Sequence, residues 1–133
     1  MGYTVGDVLA ERTVHVTRES LVRYAGASGD FNPIHYRDDV AASVGLPGLL
    51  AHGMLTMGIA SSVVISALAP ATRVLDYGVR FTKPVVVDPV DGADIHVVAT
   101  VGAVDEEAAR IDLKVTFDET TVLVKAQLRV AVR

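Results

Sequence analysis

The sequence predicts an α+β domain in which one long apolar helix is wrapped by a curved antiparallel sheet, and three observations lead there. Residues 53–68, GMLTMGIASSVVISAL, are apolar on nearly every side, and a helix hydrophobic all round belongs inside a protein. Downstream, residues 73–81, 95–104, 109–117 and 121–132 each carry β-branched runs or alternation, the period of strands with a buried face. Half of the 133 residues are hydrophobic, yet aromatics make up only 5% and Trp is absent. The core must therefore be aliphatic and β-branched, which suits a sheet. Helices followed by a run of strands point to α+β. The length fits a single domain, 1–133, large enough to bury about two thirds of the surface its unfolded chain exposes.

Taken in order, Thr13, Val14, His15 and Val16 form a short expected strand. Thr17 then stands where an N-cap would, ahead of a one-sided helix that carries Leu21, Val22, Tyr24 and Ala25 and ends near Gly26. Residues 27–35, ASGDFNPIH, hold the turn formers Gly29, Asp30, Asn32 and Pro33 and predict a structured loop. Asp38 and Asp39 open a short second helix over 38–43, where their charge complements the helix dipole, and Gly45 and Pro47 close it. A loop over 46–51 leads into the apolar helix. Beyond it, Pro84, Pro89, Asp91-Gly92, Asp105-Glu106 and Asp118-Glu119 divide the strands.

Composition removes several function classes. Twelve basic against sixteen acidic residues give a net charge of -4 with no long block of either sign, so an extended phosphate backbone is not an expected partner. Without cysteine there is no disulfide, thiolate metal site or Cys nucleophile, and the expected compartment is the cytoplasm. Residues 1–12 carry Asp7 and Glu11 and no apolar run, which argues against a secretory leader. The low-charge stretch 53–72 approaches membrane-spanning length, but Gly58, three serines and Pro70 interrupt it, so it reads as a core helix rather than a span.

The chemistry concentrates in residues 24–35, YAGASGDFNPIH, where a carboxylate, an amide and an imidazole fall within six residues. Pro33 fixes one φ angle and restricts Asn32, so Asp30 and His35 are held at a defined separation at little entropic cost. A carboxylate and an imidazole converging on one water can take a proton from it and deliver one to a substrate carbon. A second feature is Ala51-His52-Gly53-Met54, at the start of the apolar helix. First-turn amides have no intrahelical partner, and glycine admits a substrate oxygen close to the backbone. Gly53 is thus a candidate oxyanion donor for enolate-like charge.

The run Tyr24-x5-Asp30-x-Asn32-Pro33-x-His35, followed by Ala51-His52-Gly53-Met54, resembles the signature of the MaoC-like or R-specific enoyl hydratase family of hot-dog proteins. Residues 28–35, 51–59 and 79–82 are most similar to the catalytic B subunits of the mycobacterial type of (3R)-hydroxyacyl-ACP dehydratase. The resemblance covers most of the chain and implies a hot-dog fold, Asp30 and His35 as catalytic residues, and the Gly53 amide as donor to a thioester oxygen. It also implies an acyl-CoA or acyl-ACP substrate, no cofactor, and a dimer with the acyl tunnel between subunits. That dimer is expected to be a homodimer, or a heterodimer with a hot-dog partner, and an uncovered sheet edge argues for pairing on its own account.

Other residues carry weaker signals. Asn32 either orients His35 or water, or serves the turn before Pro33. Ser61 and Ser62 lack nucleophile-elbow context, and Ser61 is expected to touch substrate. His15 and His96 sit in strand patterns as ordinary half-exposed histidines, while His52 is expected to hold the loop before Gly53 through a hydrogen bond. Tyr24 is expected to pack. No metal is expected, because His35 and His52 have no clustered partners at ligand spacing. Arg80 and Lys83 flank Phe81 and, with Arg12, Arg18, Arg23 and Arg73, offer a small positive mouth for a phosphate. Three functions compete: a (3R)-hydroxyacyl-thioester dehydratase or enoyl hydratase, a hot-dog thioesterase, and a non-catalytic partner subunit. The Asp30/His35 pair favours the first.

Overall fold

Thr17 starts the first helix by accepting the Ser20 amide on its hydroxyl, while the Ser20 hydroxyl returns the bond to the Thr17 amide. This reciprocal cap satisfies two amides that the helix itself cannot. The computed structural model describes residues 2–133. Its elements are β1 (Val8–Val16), α1 (Arg18–Ser28), a 3-10 turn (Pro33–His35), α2 (Asp38–Ser43), α3 (Gly53–Ile65), β2 (Val74–Phe81), β3 (Ala93–Val104), β4 (Ala108–Phe117) and β5 (Thr120–Ala131).

The five strands form one sheet in the order β1-β3-β4-β5-β2, antiparallel throughout. Alternation decides which face is buried. Ile95, Val97 and Ala99 of β3, Ile111 and Val115 of β4, and Leu128 and Val130 of β5 are fully buried and share one core cluster with Ala60, Val63 and Val64 of α3. Period-2 strands aim one set of side chains at the helix and the other at water. Tyr77 of β2 ties the edge of the sheet to α3 by donating its hydroxyl to the Met57 carbonyl at 2.6 Å, and burial pushes its phenol up to about 12.

The helix-in-sheet arrangement matches expectation, but several boundaries do not. β1 begins at Val8, five residues before the expected strand, because the polar run through Arg12 lies on an edge strand and pairs with β3 through its backbone. α1 continues through Gly26 to Ser28 and stops at Gly29, whose φ of 78° is the left-handed cap that only glycine adopts freely. α3 ends at Ile65 instead of residue 68. Beyond it, Ala67 and Leu68 bond to the carbonyls three residues back in tighter turns ahead of Pro70. Nor is α3 buried all round: Met54 and Ile65 are 60% and 49% exposed, and Gly58 faces open space. No helix among the described residues is long and apolar enough to cross a membrane.

A bulge in β5 engages both of its neighbours. Lys125 has φ of 48°, at the point where the pairing of β5 shifts register against both neighbours, β4 and β2. Such a bulge bends a strand and increases its twist, and a non-glycine residue in the left-handed region costs about 1–2 kcal/mol. Lys125→Gly is therefore expected to raise stability by about 1 kcal/mol, read as a higher urea midpoint at unchanged slope. A lower midpoint would mean that the lysine side chain contributes more than the backbone strain costs.

Candidate active site

The residues after α1 are held by their own side chains. Ser28 accepts the Asp30 amide, the Asp30 carboxylate accepts the Asn32 amide, and the Asn32 side-chain oxygen accepts the Ile34 amide, at 3.1, 3.1 and 3.2 Å. These successive Asx and Ser turns lead directly into the 3-10 turn that Pro33 opens. Asn32 thus serves the turn, while Asp30 remains exposed with one carboxylate oxygen engaged.

His35 is positioned from elsewhere in the chain. Its Nδ1 lies 2.6 Å from the Leu50 carbonyl, which can only accept, so Nδ1 carries the proton and Nε2 keeps its lone pair. Leu50 is in turn held by its amide to the Ile34 carbonyl and by a bridge to Val86, and the Ala51 amide reaches the Val85 carbonyl. The loop over 46–51 thereby fixes the imidazole of the turn beside it.

His52 ends that loop and caps α3. It is 1% exposed, donates Nε2–H to the Asp30 backbone carbonyl at 3.2 Å, and stacks on His35 with centroids 3.8 Å apart and planes inclined by 21°. Tyr24 packs edge-on against the same His52 ring, with centroids 4.8 Å apart. Side-chain atoms of Asp30, His35 and His52 come within 4.8 Å of one another. Imidazole lone pairs lie in the ring planes, however. Two rings so nearly parallel cannot both aim a nitrogen at one ion at the ~2.1 Å of a metal–nitrogen bond, so the two imidazoles do not form a shared metal site.

Burial pushes the His52 pKa below its ordinary 6.5, and the neighbouring His35 adds to this, although the Asp30 carbonyl and carboxylate oppose it. Below pH 6.5 the unfolded chain takes up a proton that folded His52 refuses, so stability falls as pH drops from there towards the depressed value, and is unaffected above it. Asp39, Asp88 and Asp105 are held below the ordinary 3.8, Asp39 by Arg37 and the others by backbone amides. Their stabilisation is lost only at more acid pH. The drop in urea midpoint between pH 7.5 and pH 5.5 is thus expected to shrink in His52→Gln. An equal drop in both proteins would assign it to another group.

Among the described residues, the amides of Gly53 and Met54 make no backbone hydrogen bond, whereas those of Leu55 and Thr56 both donate to the His52 carbonyl. Gly53 and His35 line one pocket of about 350 Å³, together with Ile34, Leu50, Thr56, Phe81 and Lys83. The Phe81 ring crosses the face of Gly53, where an added Cβ would lie 2.9 Å from its Cε1.

Of the sequence-predicted residues, Asp30, His35 and Gly53 gather at this end of α3, and Asn32 shapes the turn between the first two. Ser61 is not brought to the pocket. It lies two turns along α3 with its hydroxyl bonded to the Gly58 carbonyl at 3.0 Å, as Ser62 also is. Lys83 reaches the pocket but Arg80 does not line it, and Arg18 and Arg23 are paired with Asp38 and Glu19. His15 and His96 pair with Asp94 and Glu11 across β1 and β3, away from the pocket. Thr56 went unforeseen, since a threonine in an apolar helix carries no signal, as did the Leu50 carbonyl, which any residue could supply.

Residues 4–123 match the sequence model of a family described as MaoC like domain. The chain is 37% identical over 79 residues to 3-hydroxyacyl-thioester dehydratase X of Mycobacterium tuberculosis, covering 59% of this chain and 27% of that protein. It is 36% identical over 81 residues to the mitochondrial 3-hydroxyacyl-[acyl-carrier-protein] dehydratase of Arabidopsis thaliana, covering 61% of this chain and 48% of that one. The matches thus span about a quarter and about half of those relatives. The fold superposes on R-Hydratase PhaJ1 from Pseudomonas aeruginosa with a TM-score of 0.84 at 28% identity, covering 96% of this chain and 81% of that structure.

Proposed function

The chain belongs to the MaoC-like domain family, and from that premise we propose that it catalyses reversible addition of water across the C2=C3 bond of a trans-2-enoyl thioester, forming the (3R)-hydroxyacyl thioester. One observation carries this reading: Asp30 and His35 lie within reach of a common water, and His35, though not Asp30, lines the same pocket as the open amide of Gly53. In hydration, the water oxygen bonds to C3 while its proton passes to the acid–base pair, for which the free Nε2 of His35 is suited. Charge then develops on the thioester oxygen, where the Gly53 N–H at the positive end of α3 stabilises it. A proton returned by the pair to C2 completes the balance, and dehydration runs the same steps backwards.

The apolar walls of Ile34, Leu50 and Phe81 suit an acyl chain, and Lys83, which also lines the pocket, suits the phosphate of a CoA or ACP phosphopantetheine. No cofactor is required by this chemistry. The chain acts as a dimer in this proposal, with itself or with a hot-dog partner, which would cover the open face of α3 with Met54 and Ile65 and the exposed Val74 and Leu75 of the β2 edge. Sedimentation at micromolar concentration is expected to give a dimer, and a monomer would refute this. Function is tested by following loss of the enoyl absorbance with short and long thioesters and resolving the product on a chiral column. An S product, or thiol release faster than double-bond loss, would reject the hydratase and favour the thioesterase.

A further inference from the structure

We propose that His52 is a positioning residue for the Asp30–His35 pair: its ring is the flat floor beneath the His35 imidazole, and its Nε2–H ties down the Asp30 backbone. This deepens the hydratase reading and rests on it. Three parts of the site meet at this one side chain and its backbone. Nε2 holds the Asp30 carbonyl at 3.2 Å, the ring face lies 3.8 Å from that of His35, and the His52 carbonyl accepts the Leu55 and Thr56 amides that begin the helix of Gly53.

The unused nitrogen shows what the ring is for. Nδ1 is buried and has no hydrogen-bond partner among the described residues, a cost that a phenylalanine there would avoid. Phenylalanine would keep the floor and lose the donor; glutamine would keep a donor and lose the floor. Imidazole supplies both. Because the Asp30 carbonyl only accepts, the single proton of His52 must sit on Nε2. A second proton would place an N–H on Nδ1 with no acceptor, and a charge against His35. The titratable groups facing His52 are Tyr24 from α1, Asp30 from the loop and His35 from the 3-10 turn. His52 therefore stays neutral while His35 gains and loses its proton, and His35 keeps one orientation.

The test compares wild type with His52→Phe and His52→Gln in the full chain. Small misplacement of reacting groups costs up to about 10²-fold in rate, so kcat is expected to fall at least about tenfold in each variant, with KM changed less than about threefold. Ring-nitrogen NMR of the free protein is expected to show His52 as the neutral Nε2–H form and His35 as the Nδ1–H form in wild type. In both variants the Leu50 carbonyl still selects the Nδ1–H form, but His35 should lose its fixed ring orientation, seen as broadened ring resonances and faster solvent exchange of Nδ1–H. These spectra need no substrate, so they test the positioning even if the hydration reaction fails. Wild-type kcat in both variants, a loss confined to KM, or His35 line widths and Nδ1–H exchange unchanged in both would overturn the proposal, as would an Nδ1–H form of His52 in the wild type.

Discussion

Replacing Asp30 with Asn, or His35 with Ala, is expected to lower turnover by about 10²–10⁴ each, the range for loss of a general acid or base. Asp30→Asn is the cleaner of the two. Asp30 is exposed, and among the described residues its side chain's one hydrogen bond is to the Asn32 amide, which the amide oxygen of asparagine can also accept. The loop should therefore persist while the carboxylate is lost. His35 is only 8% exposed and lies between the Leu50 carbonyl and the His52 ring, so His35→Ala also leaves a cavity and should lower the melting temperature by several degrees. Far-UV circular dichroism at the assay temperature separates lost chemistry from lost fold. Near wild-type turnover in either folded variant would remove that residue from the reaction.

Gly53→Val should impair catalysis severely although glycine brings no reacting side chain. A Cβ at this position already meets the Phe81 ring at 2.9 Å, and valine adds two methyl groups where, in the proposed reaction, the thioester oxygen approaches the amide. Loss of one oxyanion donor typically costs about 3–4 kcal/mol of transition-state stabilisation, a fall of roughly 10²–10³ in kcat. Phe81 is 54% exposed and free to swing aside, so the fold should survive. Gly53→Val combined with Phe81→Ala removes the clash with the ring. Activity should stay low in the double variant if valine blocks the amide. Its recovery would show that displacement of Phe81 was the cause, and normal hydration by Gly53→Val itself would exclude the amide from the reaction.

Much of this was readable before any coordinates, wherever the determining interactions are local. The turn from Ser28 to His35 closes through bonds between residues two apart, and α2 runs over the expected Asp38–Ser43. The hairpin at Asp118 and Glu119, both with positive φ, joins β4 to β5 where the turn formers predicted. Boundaries failed where a local signal was ambiguous: Gly26 reads as a helix stop, yet it is Gly29 that leaves the helix through a left-handed turn.

By itself, then, the sequence determined the α+β class through its periodicities, the Asp30–Pro33–His35 turn through short-range bonding, and the glycine at the start of the apolar helix. Only the tertiary structure decided that the Leu50 carbonyl sets the His35 tautomer, that His52 stacks on His35, and that Phe81 covers Gly53. It also decided that Ser61 stays away from the pocket and that one face of α3 is left open. Periodicity and turn chemistry act over a few residues and leave a mark in the residue types. A backbone carbonyl or a ring contact between residues 15 to 28 positions apart depends on how separate elements dock, and almost any side chain could have occupied those places without changing the local pattern.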